Sequence, residues 1–210
     1  MADTDRILEE LGYPVRVKPI TTPPKTPSVP QGRDTFQTPN YATELLIPFI
    51  PKDIKNIWEP AAGENKIVHV LEEHGYSVFA SDIRDPLNCL HDANVNFLTQ
   101  DFDIGILGLE CIITNPPFSV KAEFIERAFE YGVPFAFLIN ADYSGQQIDW
   151  IRKGCEKIIP TRRIDYITPT GRNGDTSASQ FHSMWLTYGF GLGKTETFVE
   201  LSNKDKKENI

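Results

Sequence analysis

The chain has 210 residues, of which 40 % are hydrophobic, 11 % aromatic and 24 % charged, a composition that suits one domain with a buried core and excludes wholesale disorder. Its 21 basic residues against 29 acidic ones leave a net charge of −8, which weighs against coating nucleic acid by bulk electrostatics and would suit a protein partner. No apolar run approaches the roughly 20 residues that cross a bilayer. The start, Met1-Ala2-Asp3-Thr4-Asp5-Arg6, lacks the apolar stretch of a signal peptide. Cys89, Cys111 and Cys155 show neither a disulfide framework nor a C-x-x-C zinc spacing. A soluble cytoplasmic protein without membrane association or bound metal is the expectation.

In chain order, residues 3–13 read as a short helix with Ile7, Leu8 and Leu11 on one side. Six prolines fall in the 17 residues from Pro14 to Pro30, and a stretch so poor in amide donors reads as an extended arm over residues 1–34. The folded domain is expected over 35–202, followed by a polar tail at 203–210. Thr38-Pro39 precedes a helix from Tyr41 to Ile50, capped by Thr or Asn. Asn56–Glu59 reads as a strand, Pro60–Gly63 as a turn, and Lys66–His74 as a helix ending at Gly75. Further strands are expected at Ser77–Ser81, Val95–Leu98, Cys111–Thr114, Phe135–Ile139, Ile158–Ile164 and His182–Tyr188, with helices at Val120–Tyr131 and Gly145–Lys153. Short apolar strands alternating with helices predict a parallel sheet covered on both faces, with the ligand beyond the carboxyl ends of its strands.

The residues that follow each strand carry the chemistry. After the first comes Glu59-Pro-Ala61-Ala-Gly63, a small-residue turn into a helix where backbone amides can approach a ligand; a plain strand-to-helix turn would look the same. With a single glycine it is not the dinucleotide G-x-G-x-x-G pattern. After the second strand, Asp82 stands where an acid accepts both hydroxyls of a ribose, with Ile83 beside it. Asp101-Phe102 offers an acceptor beside a ring, suited to an adenine. After the fourth apolar run comes Asn115-Pro116-Pro117-Phe118. Two prolines fix φ and leave the Pro116 carbonyl out of helix bonding, beside the Asn115 acceptor. Two acceptors on one planar amine can hold both its hydrogens and localise its lone pair for attack on a methyl group, while Phe118 stacks the heterocycle.

The ordered set Phe36-Gln37-Thr38-Pro39, Glu59–Gly63, Asp82, Asp101-Phe102 and Asn115–Phe118 resembles the S-adenosylmethionine-dependent DNA methyltransferases that modify amino groups, and the final Phe is similar to that of the adenine-N6 enzymes. The resemblance runs from about Phe36 to Tyr188, with two departures: Glu59 replaces a commoner Asp, and Asn65 stands where a second Gly is frequent. It implies an α/β Rossmann-like class I methyltransferase domain with a mixed, mostly parallel sheet of about seven strands. It also implies that Phe36, Thr38, Glu59, Ala61 and Gly63 serve the methionine end of the cofactor, Asp82 and Ile83 the ribose, Asp101 and Phe102 the adenine. Asn115, Pro116, Pro117 and Phe118 would act on an adenine flipped out of DNA. Alternatives are methylation of RNA adenine or of a protein amide, and a binding protein that keeps the fold without turnover.

Arg163–Tyr166 followed by Ser179–Leu186 resembles the late motif of the phage-type enzymes, placing Phe181, Ser183 and Asn140–Tyr143 near the target base. Basic residues crowd between Asp149 and Arg172, and Arg162, Arg163 and Arg172 are the expected DNA contacts, although a solvated surface would also explain them. The loop Thr168–Gln180 has room for two or three base contacts, which predicts short or loose sequence selectivity. Gly191-Leu-Gly193-Lys194-Thr195 resembles a phosphate loop, but Tyr188 stands where that pattern needs its first glycine, so no such site is expected.

Overall fold

Runs of β-branched and aromatic residues form the strands β1 (Asn56–Glu59), β2 (Ser77–Asp82), β4 (Cys111–Thr114) and β5 (Phe135–Asn140), and the two-residue β3 (Ala93–Asn94) pairs with the end of β2. β6 (Glu156–Pro160), β7 (Ser183–Tyr188) and β8 (Glu196–Val199) complete one sheet of order β3-β2-β1-β4-β5-β7-β6-β8. All pairings are parallel except those of β7, which runs antiparallel to both β5 and β6. This computed structural model describes residues 34, 36–84, 93–101, 103–167 and 181–208. The expected helix over 3–13, the Pro-rich residues 1–33, Phe102, Arg172 and the loop 168–180 lie outside the described residues.

Alternation along the central strands splits the core into two layers. Ile57, Cys111, Ile113, Ala136, Leu138 and Trp185 point to one face, packed against α1 (Asn40–Glu44) and α2 (Lys66–Glu73). Trp58, Ile112, Phe135, Phe137, Met184 and Leu186 point to the other, under α3 (Lys121–Tyr131) and α4 (Gly145–Arg152). Trp150 of α4 is buried and donates through Nε1 to Glu126 of α3 at 2.8 Å, which ties the two helices together.

The structure departs from the sequence expectations at several boundaries. The helix expected through Ile50 stops at Glu44 and gives way to a 3-10 turn at Ile47–Phe49, because Pro48 cannot donate the next helical bond. Its N-cap is Pro39, with no side-chain cap, rather than Thr or Asn. The strand expected at Val95–Leu98 sits two residues earlier and is only Ala93–Asn94 long. β6 ends at Pro160 instead of Ile164, and β8 was not expected. Beyond 202 the described residues form a last helix, α5 (Asp205–Glu208), and Lys206 Nζ docks on Asp165 Oδ2 at 2.8 Å.

Candidate active site

The carboxyl ends of β1, β2, β4 and β5 open into a cavity of about 510 Å³. Its floor begins with the turn after β1. Gly63 has φ +57°, a left-handed conformation, and a Cβ there would lie 2.7 Å from Gln37 Oε1. Gln37 fills that space, and its Oε1 accepts from the Glu64 amide at 3.1 Å. An L side chain there would be strained at this φ and would have to displace the Gln37 amide. The turn is braced from beneath by Glu59, whose Oε1 accepts from Ala61 N at 2.9 Å. Glu59 is 1 % exposed and does not line the cavity. Burial pushes its carboxyl up to about 8; Thr114 and the Ala61 amide offset this in part, and the charge of Asp82 adds to it. Thr114 stands close without closing a well-formed bond, for Glu59 Oε2 and Thr114 Oγ1 both lack a hydrogen-bond partner among the described residues.

Asp82 ends β2 with its carboxylate toward the cavity. Burial pushes its pKa up, but hydrogen bonds from the Arg84 side chain and amide and from the Gly63 amide outweigh it and hold the carboxyl below its ordinary value. Asn94 Nδ2 donates to the carbonyls of Ile83 and Arg84, at 3.0 and 2.7 Å, and so fixes the course of the chain just after Asp82.

The wall is formed by Asn115–Lys121, which follow β4. Asn115 Nδ2 donates to Thr38 Oγ1 at 3.0 Å, which leaves Oδ1 as the amide atom without a partner among the described residues. The Pro116 carbonyl likewise accepts nothing among them, whereas the Pro117 carbonyl accepts from Val120 N at 3.1 Å. Beyond the prolines, Asp34 clasps the chain, accepting from Ser119 N at 3.1 Å and from Ser119 Oγ at 2.7 Å. Phe118 is 40 % exposed; its ring lies 6.0 Å from that of Phe181 and 4.7 Å from Lys121 Nζ. Tyr166 follows at 6.4 Å from Phe181, and Phe36 at 6.5 Å from Tyr166, so four rings edge the mouth. Lys121 donates to Asn140 Oδ1, and burial lowers its pKa against the pull of Asp142.

The fold therefore brings Phe36, Thr38, Ala61, Gly63, Asp82, Ile83, Asn115, Pro116, Pro117, Phe118 and Phe181 to one cavity. Ser183 stands one layer behind, fully buried, accepting from Tyr166 Oη at 2.9 Å. Burial raises the Tyr166 pKa well above its ordinary value and keeps the phenol neutral.

Other expected residues lie elsewhere. Asp101 does not line the cavity, because its carboxylate is paired with the nearly buried Arg127 guanidinium of α3. Asn96 and Phe97, two and three residues past β3, line it instead. Tyr143 is 70 % exposed outside the cavity; its hydroxyl donates to Glu196 Oε1 at 2.6 Å and Lys157 Nζ lies 4.1 Å from its ring.

The basic stretch is largely engaged in internal pairs. Arg152 pairs with Asp149 at 3.2 Å, Lys153 with Glu126 at 2.7 Å, and Lys157 is buried. Because β6 runs in the same direction as β5, Arg152 and Lys153 lie at the amino ends of the strands, opposite the cavity. Arg162 and Arg163, just after β6, are exposed at the carboxyl end but do not line the cavity. The Gly191–Thr195 turn holds no anion site, since Glu156 already accepts from the amides of Leu192 and Gly193 at 3.0 and 2.9 Å.

Gln37, Asn96, Phe97 and Lys121 were missed as cavity residues. The available signal for Asn96 was slight: an acceptor beside a ring, as at Asp101 five residues later, but inside the expected strand Val95–Leu98 rather than after it. Among the described residues no group of three His, Cys, Asp or Glu could hold a metal ion, and no helix is long and apolar enough to cross a membrane.

No protein-family model and no curated protein matches the sequence. Among solved structures, the chain is similar to the methyltransferase subunit of a type I restriction-modification system from Streptococcus thermophilus, at 9 % identity and a TM-score of 0.56 over 83 % of this chain and 52 % of that one. It thus spans about half the length of that subunit. It is also similar to a human methyltransferase 10 domain containing protein, at 13 % identity and a TM-score of 0.45 over 90 % and 93 % of the two chains. A SAM-dependent methyltransferase from Archaeoglobus fulgidus follows at 10 % and 0.43, over 70 % and 92 %. The fold is the α/β, Rossmann-like fold of class I methyltransferases.

Proposed function

We infer that the protein transfers a methyl group from S-adenosylmethionine to the N6 amine of adenine in DNA. The observation that carries this is the placement of Asn115-Pro116-Pro117-Phe118 in the same cavity as the Gly63 turn and Asp82. The cavity fits the cofactor in its residue chemistry: a small-residue floor at Pro60–Gly63, a carboxylate at the end of β2, and an amide beside a ring at Asn96-Phe97. Gly63 and its neighbours would hold the methionine end, Asp82 the ribose hydroxyls, and Asn96 the adenine edge. When bound, the cofactor supplies an electrophilic methyl group on a sulfonium.

The work of the chain is to present an amine to it. Asn115 Oδ1 and the Pro116 carbonyl accept the two N–H groups of the target, pulling its nitrogen toward tetrahedral geometry and localising the lone pair. Thr38 takes the other end of the Asn115 amide, which turns the oxygen toward the target. Phe118 and Phe181 flank the base once it leaves the stack, each stacking contact contributing about 1–3 kcal/mol. A planar heteroaromatic amine suits this ringed mouth better than an aliphatic amide does. The restriction-modification role of the Streptococcus thermophilus subunit supports DNA over RNA as the substrate. Arg162 and Arg163 are the phosphate contacts in this reading.

The test is transfer of labelled methyl from S-adenosylmethionine to duplex DNA, single-stranded DNA, RNA and protein in parallel. Labelled N6-methyladenine in DNA is expected. Label in RNA or protein alone would reassign the substrate, and cofactor binding without label in any acceptor would point to a binding protein.

A further inference from the structure

Asp82 is the group expected to accept the ribose, yet its carboxylate is already full. An ionised carboxylate offers about four lone-pair sites. Oδ2 accepts from Gly63 N at 2.9 Å and from Arg84 Nη2 at 3.2 Å, and Oδ1 accepts from Arg84 N at 2.9 Å and from Arg84 Nε at 3.0 Å. Two of these donors are backbone amides. The Gly63 amide belongs to the turn after β1, and the Arg84 amide is fixed because Asn94 holds the neighbouring carbonyls. They aim the carboxylate and stay in place. The other two donors belong to one guanidinium, whose side chain is 38 % exposed against 9 % for Asp82. It lines the same cavity. Of the four, only the guanidinium can leave without breaking the backbone frame.

We propose that Arg84 is a competitor built into the cofactor site, so that Asp82 accepts a ribose diol only when the Arg84 fork swings out. The inference rests on the reading of this cavity as a cofactor site. Both partners of the exchange are hydrogen-bonded throughout, the guanidinium passing from carboxylate to water. The fork makes two parallel bonds to two oxygens, as the vicinal hydroxyls of a ribose would. A diol and a guanidinium fork therefore exclude one another at Asp82. Removing the fork leaves two lone pairs open and relieves the ligand of the displacement, so the variant binds more tightly than the natural protein. A residue that merely shaped the site, or touched the ligand, would have the opposite effect.

The experiment is calorimetric titration of the full chain, Arg84→Met and Arg84→Lys with S-adenosylmethionine, adenosine and 2′,3′-dideoxyadenosine. Adenosine is neutral, so it separates displacement from charge repulsion against the sulfonium. Arg84→Met is expected to bind S-adenosylmethionine and adenosine about 3- to 10-fold more tightly, the range set by a partly exposed ion pair. Its affinity for the dideoxynucleoside should be unchanged. Arg84→Lys, which offers a point charge in place of a fork, should fall between. Equal or weaker binding of adenosine by Arg84→Met overturns the proposal while leaving the cofactor site standing, as does an equal gain with the dideoxynucleoside. Failure of the natural protein to bind S-adenosylmethionine or adenosine overturns the reading of the cavity and this proposal together.

Discussion

Replacing Glu59 by Gln exchanges a buried carboxyl for a neutral amide of nearly the same shape. The folded state holds the Glu59 proton up to about pH 8, against an ordinary value of 4.5. A carboxyl raised in this way contributes stability that is fully present below pH 4.5 and is lost as the pH rises through 8. At 1.36 kcal/mol per pH unit, the loss reaches ~3 kcal/mol at pH 7 and ~5 kcal/mol above pH 8, a large part of the 5–15 kcal/mol that holds a typical domain. Glutamine does not titrate. Its oxygen can still accept from Ala61 N, and its amide can donate to Thr114 Oγ1, which has no partner among the described residues. Glu59→Gln should therefore match the natural protein near pH 5 and gain on it by about 1 kcal/mol per pH unit up to pH 8. Urea unfolding of both proteins from pH 5 to 8.5 measures the difference, in which the other titrating groups cancel. A difference that does not grow with pH would show that Glu59 is ionised in the fold, and that its charge is compensated by something other than Thr114 and the Ala61 amide.

Asn115→Ala should abolish methyl transfer while the dissociation constant for S-adenosylmethionine, read by calorimetry, stays within about twofold; loss of the bond to Thr38 should lower stability by about 1 kcal/mol. Phe118→Ala and Phe181→Ala should each weaken capture of the target base by about 1–3 kcal/mol, seen as reduced 2-aminopurine fluorescence change in a DNA substrate, with cofactor binding unaltered. Joint replacement of Arg162 and Arg163 by Gln should flatten the slope of log affinity against log salt by about 0.9 for each phosphate no longer neutralised; an unchanged slope would make them ordinary surface charge. Gly63→Ala should cost about 1–2 kcal/mol in thermal or urea unfolding, since an L side chain at φ +57° is strained and its Cβ meets Gln37 Oε1, and should weaken cofactor binding as well.

The local chemistry of this chain was legible in its residues one at a time. A short apolar run followed by Asn-Pro-Pro-Phe reads as a strand ending in a rigid turn, and the structure has the strand at Cys111–Thr114 and the turn at the cavity wall. The alternation of short apolar runs with helices likewise foretold the parallel sheet, because strands covered on both faces cannot carry a polar side. Asp82 ended its strand as read, since the run of small and apolar residues before it has one natural stop.

What tertiary structure alone decided is which of several plausible polar groups reach the cavity. Asp101 and Asn96 are both acceptors beside a ring five residues apart, and they differ only in what α3 places next to them: Arg127 claims Asp101, which leaves Asn96 at the cavity. Arg152, Lys153 and Lys157 look like a basic face in one dimension, but helix and strand direction carry the first two to the far end of the sheet and bury the third. β8 and α5 escaped notice because a four-residue edge strand and a four-residue helix owe their existence to contacts with β6 and Asp165, across 39 to 41 residues of chain. The strap formed by Asp34, Gln37 and Thr38 shows the same limit. Its partners, Ser119, Glu64 and Asn115, lie 27 to 85 residues away, so the motif at Phe36–Pro39 could point to the site but not to the contacts by which the segment lines the cavity and holds the Asn115 amide. Side-chain type sets what a residue can bind, whereas competition among neighbours brought together by the fold sets what it does bind.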